Sequence, residues 1–221
     1  MRVIHLAVVL ALFLPQAVFA NDFERGQEAM KKGDYDLALA CFNAYIRDNP
    51  KVATGYAVRA QAYSAKNNHD KAIEDTSEAI RLDANFGPAY DVRGRAYLLK
   101  NNFDKAIPDF TQAIRLIPNY AHGYAMRGQA YSGKKDYDNA IANYSEAIRL
   151  NSKALSYHYI RGNAYRLKGS HDQAIADYTA EIALNPRAYD AYINRGVTYM
   201  AKGDNARAQA DFAQAERLKG K

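Results

Sequence analysis

From Asn21 to the end of the chain, apolar side chains recur at helical spacing, and the whole pattern repeats at a constant step of 34 residues. Tyr63, Tyr97, Tyr131, Tyr165 and Tyr199 follow this step. So do Ala38, Ala72, Ala106, Ala140, Ala174 and Ala208, and a small residue at Gly26, Ala60, Gly94, Gly128, Gly162 and Gly196. Ala53, Gly87, Ala121, Leu155 and Tyr189 are taken as position 1 of successive units. Positions 4, 7, 8 and 11 then share one side of a helix, and positions 20, 21, 24, 27 and 28 form the stripe of a second. In the fourth unit that second stripe is Ala140, Ile141, Tyr144, Ala147 and Ile148. Small residues at positions 8, 20 and 27 let backbones approach, and the large rings fill the space beside them.

Polar turns such as Lys134-Lys135-Asp136 and Lys168-Gly169-Ser170 separate the two helices. Asp70, Asp104, Asp138 and Asp172 are expected as N-caps of the second helices. Pro108 falls about one turn into its helix and is expected to bend it slightly. One helix pair cannot bury its stripe alone, so the pairs are expected to stack. In the last unit, Gln209 and Glu216 replace the Ile found at positions 21 and 28 of units two to five, as on an end helix, whereas Leu39 and Ile46 in unit one stay apolar.

These residues resemble the tetratricopeptide repeat. In order along one unit, Tyr124, Gly128, Tyr131, Ala140, Tyr144 and Ala147 match its pattern. Ser152 stands where the family prefers Pro, and Pro50, Pro118 and Pro186 supply that Pro in other units. Asp22 and Ala29 replace expected aromatics in unit one; Thr76 and Ala84 depart in unit two. The resemblance implies an all-α, right-handed superhelical solenoid of antiparallel helix pairs, whose first helices line a concave groove. Six repeats would cover 21–52, 53–86, 87–120, 121–154, 155–188 and 189–221.

Residues 1–20 differ in kind. Met1-Arg2 is a short basic start, Leu6 to Leu14 are uninterrupted apolar residues, and Val18 and Ala20 are small residues before a plausible cut. This reads as a secretory signal peptide cleaved after Ala20, so the chain is expected to be exported, periplasmic or secreted, and to meet a membrane only during export. Cys41 is the sole cysteine, which excludes an internal disulfide framework. The net charge of +6 is scattered at repeat intervals rather than gathered in a run, which gives no reason to expect nucleic acid.

Candidate chemistry follows the repeat. Position 7 holds Arg25, Arg59, Arg93, Arg127, Arg161 and Arg195, facing the helix interface. Position 23 offers Asp75, Asp109, Asp177 and Asp211 as partners, with Asn143 in unit four and Cys41 in unit one. The pairs Arg59 with Asp75, Arg93 with Asp109, Arg161 with Asp177 and Arg195 with Asp211 are expected to be structural, since a half-buried cation needs a countercharge. No two of the five histidines have metal-binding spacing, and no phosphate loop or nucleophile elbow is present, so neither a cofactor nor enzyme activity is expected.

The first-helix face opposite the stripe carries an apolar row, Val58, Val92, Met126 and Ile160, beside a polar row, Gln61, Arg95, Gln129 and Asn163. Amides can both donate to and accept from a peptide backbone while apolar residues take its side chains. This suggests a groove holding a peptide segment of a partner protein. Two rivals are a self-assembling structural solenoid and a carbohydrate-handling accessory, the latter suggested by Tyr157 and Tyr159. The family's clamp for C-terminal carboxylates is not expected, because its Lys and Asn positions hold Ala57 and Val58.

Overall fold

A computed structural model describes residues 16–219, which form twelve helices and, among these residues, no strand. The first helices of the pairs are α1 (Gln16–Lys32), α3 (Ala53–Ala65), α5 (Gly87–Leu99), α7 (Ala121–Gly133), α9 (Tyr157–Lys168) and α11 (Tyr189–Ala201). The second helices are α2 (Tyr35–Asp48), α4 (His69–Leu82), α6 (Phe103–Leu116), α8 (Tyr137–Leu150), α10 (His171–Leu184) and α12 (Asn205–Lys219). They group into two units, one ending at Val92 and the other starting at Arg93, with the boundary inside α5. Residues 1–15, which carry the apolar run of the expected signal peptide, lie outside the described residues. The expected cut after Ala20 falls early in α1. No described helix is long and apolar enough to cross a membrane.

Five of the six second helices start by one local rule, α10 with Ser170 being the exception. Asp34, Asn68, Asn102 and Asp136 accept the backbone N–H three residues on, at 3.1, 3.3, 3.3 and 3.2 Å, and Asp204 does the same for Arg207 at 3.1 Å. The expected caps Asp70, Asp104, Asp138 and Asp172 therefore need correcting. They lie two residues further on, inside the first turn, where an acid suits the positive helix end. In the second unit, Lys134 reaches Asp104 at 2.6 Å, and Lys168 and Lys202 pair likewise with Asp138 and Asp172. The residue just before the cap is left-handed in all six turns: Gly33, Asn67, Asn101, Lys135, Gly169 and Gly203. Lys135, with φ of 60°, is the one neither Gly nor Asn.

Packing within a pair depends on a glycine. A Cβ at Gly128 would meet the Tyr144 ring at 2.7 Å, and Gly94, Gly162 and Gly196 stand in the same relation to Phe110, Tyr178 and Phe212. Unit one repeats it with Gly26 and Phe42. Repeat two inverts both partners: Ala60 fills the glycine position and Thr76 the aromatic one, both fully buried, and the Thr76 hydroxyl donates to the Ala72 carbonyl at 2.6 Å. The departure at Thr76 is thus half of a complementary exchange.

Around these contacts, alanines at positions 20 and 27 are buried in most repeats, and α6 runs unbroken through Pro108. Gln209 and Glu216 are exposed, while Ile46 is buried.

Candidate functional site

At position 7, Arg59, Arg127, Arg161 and Arg195 each join three helices. In the first unit, Arg59 donates from Nε and Nη2 to Asp75 at 2.7 and 2.6 Å, and from Nη1 to Asn43 of the preceding repeat at 2.7 Å. In the second unit, Arg161 binds Asp177 at 2.8 and 2.7 Å and Ser145 at 2.9 Å. Arg195 binds Asp211 at 2.8 and 2.7 Å and Thr179 at 2.9 Å. Arg93 donates to both oxygens of Asp109 at 2.8 Å.

This fork geometry matches a carboxylate, and the hydrogen-bonded aspartates hold the Arg59, Arg161 and Arg195 guanidiniums above their ordinary values against the cost of desolvation. Arg127 has only neutral acceptors, Asn143 at 2.8 Å and Thr111 at 3.1 Å. Arg25 departs from the series. It is exposed and binds Asp22 at 3.1 Å, leaving Cys41 a buried free thiol. The link to the preceding repeat was not anticipated, although the recurrence of Asn43, Thr111, Ser145 and Thr179 at position 25 was its signal.

The apolar row expected as a groove floor is largely taken up in packing between repeats. In the first unit, Val58 packs on the cluster of Ala38, Phe42 and Ala62, and Val92 is only 2% exposed. In the second, Met126 packs on Ala106, Phe110 and Ala130, and Ile160 on Ala140, Tyr144 and Ala164. The physical reason is that a first helix touches both its own second helix and the preceding repeat. Its apolar arc is therefore wider than one stripe. Of the polar row, Gln61, Arg95 and Asn163 are half-buried and Gln129 is exposed.

Repeat five is chemically richer than its neighbours. Asp177 accepts from Arg161 and lies 3.2 Å from His158 Nδ1. Glu181 takes the place of the small residue at position 27. It is 4% exposed, and both its oxygens accept the Ser156 backbone N–H at 3.0 Å, capping α9 from a distant helix. Ser156 is left-handed there, with φ of 78°.

On the face shared with α11, the Tyr178 hydroxyl donates to Asn163 Oδ1 at 2.8 Å, and Asn194 Nδ2 donates to the Tyr159 hydroxyl at 2.9 Å. Burial pushes the Tyr178 phenol up to about 12, opposed by its hydrogen bond with Arg166. Tyr159, one of the two tyrosines that suggested a sugar site, has its hydroxyl occupied by this internal bond.

Within each unit, helix pairs tied to one another by half-buried arginines, with amides and a basic side chain left on the first helices, define a repeat scaffold. One tetratricopeptide repeat model matches residues 23–85, 125–188 and 168–220, and a second matches 87–120. The chain belongs to the tetratricopeptide repeat family. No curated protein sequence matches it.

Among solved structures it is similar to YrrB, described as a TPR protein with an unusual peptide-binding site, at 24% identity. That match covers 81% of this chain and 92% of YrrB, with a TM-score of 0.68. It is similar to MamA at 25% identity over 73% of this chain and 94% of MamA, with a TM-score of 0.69. A tetratricopeptide repeat protein from Parabacteroides merdae matches at 20% identity over 91% of this chain and 80% of its own, with a TM-score of 0.74.

Proposed function

We propose that this protein is an exported interaction scaffold that holds an extended segment of another protein along its first helices, and that its Arg–Asp pairs are structural. The observation that carries the reading is chemical. On α7, α9 and α11 the side chains at Gln129, Asn163, Arg166, Asn194, Val197 and Met200 are amides, a guanidinium and apolar groups, which can pair with a peptide backbone and its side chains. The similarity to YrrB, itself described as having a peptide-binding site, supports it. Export rests on the basic start, apolar run and small residues of the first twenty positions.

A photo-crosslinking residue installed at Gln129, exposed on α7, captures the partner, whereas the same group at Ala142, exposed on α8, does not. The opposite result moves the working surface to the second helices. Sequencing of the mature protein begins at Asn21; an intact Met1 in the membrane fraction would refute export by cleavage.

A further inference from the structure

We infer that the face shared by α9 and α11 is a subsite for an acidic peptide, in which Arg166 receives an Asp or Glu side chain of a passing segment while Val197 and Met200 hold an apolar side chain nearby. The inference rests on the peptide-holding reading and names the chemistry of that surface.

Arg166 is the starting point. Five residues earlier, Arg161 is matched by Asp177 through two bonds. Arg166 is also half-buried, yet its Nε is buried without a hydrogen-bond partner, and among the described residues no carboxylate pairs with it. Its neighbour is the neutral Tyr178 hydroxyl. A partly desolvated cation without a countercharge is poised to gain from one brought by a ligand.

The surrounding groups are oriented for the same task. Because Tyr178 donates to Asn163 Oδ1, the Asn163 amide nitrogen keeps donors to offer. Because Asn194 spends a donor on Tyr159, its oxygen remains an acceptor. A donor on one helix and an acceptor on the next suit the C=O and N–H of an extended backbone.

The apolar half comes from the register. Val197 and Met200 occupy on α11 the positions that Asn163 and Arg166 occupy on α9, 34 residues earlier, and they are 40% and 55% exposed. Leu167, next to Arg166, is 53% exposed. Large apolar side chains open to water beside an uncompensated cation mark a surface built for a partner. Both helices end just past this point in solvent-exposed residues, Lys168 and Ala201. A side-chain carboxylate of a continuing segment fits such a face better than a chain end, which needs donors closing around both oxygens.

The test uses a positional-scanning library of fluorescent twelve-residue peptides, made both with amidated and with free C-termini, and the mature chain. Peptides that bind should share an Asp or Glu, with an apolar residue two to four positions away, whether or not the C-terminus is free. Replacing that acid by its amide should weaken binding at least tenfold. Arg166→Gln should remove this preference while leaving binding of the amide-bearing peptides unchanged, and Arg166→Lys should keep part of it. Because Arg166 touches Tyr178, Met200→Glu provides a second test: it alters only an exposed side chain, and by removing the apolar contact and repelling the acid it should weaken the acidic peptides at least tenfold and the amide-bearing ones less.

Equal binding of acid and amide peptides overturns the subsite while leaving the peptide-holding reading intact. A strict requirement for a free C-terminus overturns the side-chain assignment. Binding of no peptide at all overturns both readings.

Discussion

Repeats four and five share a backbone plan but treat its interior differently. At the positions where repeat four places Tyr124, Ala125 and Ala147, repeat five places His158, Tyr159 and Glu181. Repeat four keeps the small residue at position 27 and starts α7 with no side-chain cap, whereas repeat five buries a carboxylate there to cap α9. Repeat four answers its arginine with the neutral Asn143; repeat five uses Asp177 and adds His158. The lesson is that a repeat can exchange a buried small residue for a carboxylate when that carboxylate finds a donor. The same repeat carries the uncompensated Arg166.

The largest test of this difference exchanges position 27. Ala147→Glu buries a carboxylate in a repeat whose helix start offers it no matching donor, and should destabilise the protein by at least about 3 kcal/mol in urea unfolding. Glu181→Ala loses the cap but fills the site with the residue other repeats use, at a cost of about 1–2 kcal/mol. Equal costs would mean that repeat five has no special arrangement around its helix start.

A smaller contrast lies in the arginine partners. Asp177→Ala strands the Arg161 guanidinium, whose side chain is only 20% exposed, and should cost about 2–4 kcal/mol. Asn143→Ala removes only a neutral acceptor from Arg127 and should cost about 0.5–1.5 kcal/mol. Thermal unfolding of the two variants side by side checks the order; a reversal would show that the carboxylate adds nothing.

The smallest effect at neutral pH belongs to Tyr178. Its folded phenol is raised from 10.0 to about 12, so its contribution is fully present below pH 10 and is lost as pH rises through 12, at about 1.4 kcal/mol per pH unit. Tyr178→Phe should cost under about 1.5 kcal/mol at pH 7 and flatten the alkaline fall in stability between pH 10 and 12. Tyr144→Phe in repeat four, whose phenol is raised by burial and lowered by its bond to Ser132, should flatten it less. Denaturant titrations at pH 7 to 12 check this. An unchanged slope in Tyr178→Phe would show that another group governs the alkaline transition.

The sequence by itself determined the helix pairs, the step of 34 residues and the pairing of position 7 with position 23, because these follow from periodicity and charge within one unit. It also carried the Gly–ring contacts, legible once Ala60 and Thr76 are seen to change together. Only the tertiary structure decided the contacts that this period does not set. The caps moved to Asp34, Asn68, Asn102 and Asp136 because left-handed turn residues set the helix starts. Val58, Met126 and Ile160 went into the packing because each first helix touches two neighbours. Glu181 met Ser156 across 25 residues, and Arg166 was left without a carboxylate, through contacts that no single-helix period encodes. Periodicity reports which face of a helix is apolar; the stacking of one repeat on the next decides how much of the remainder stays open.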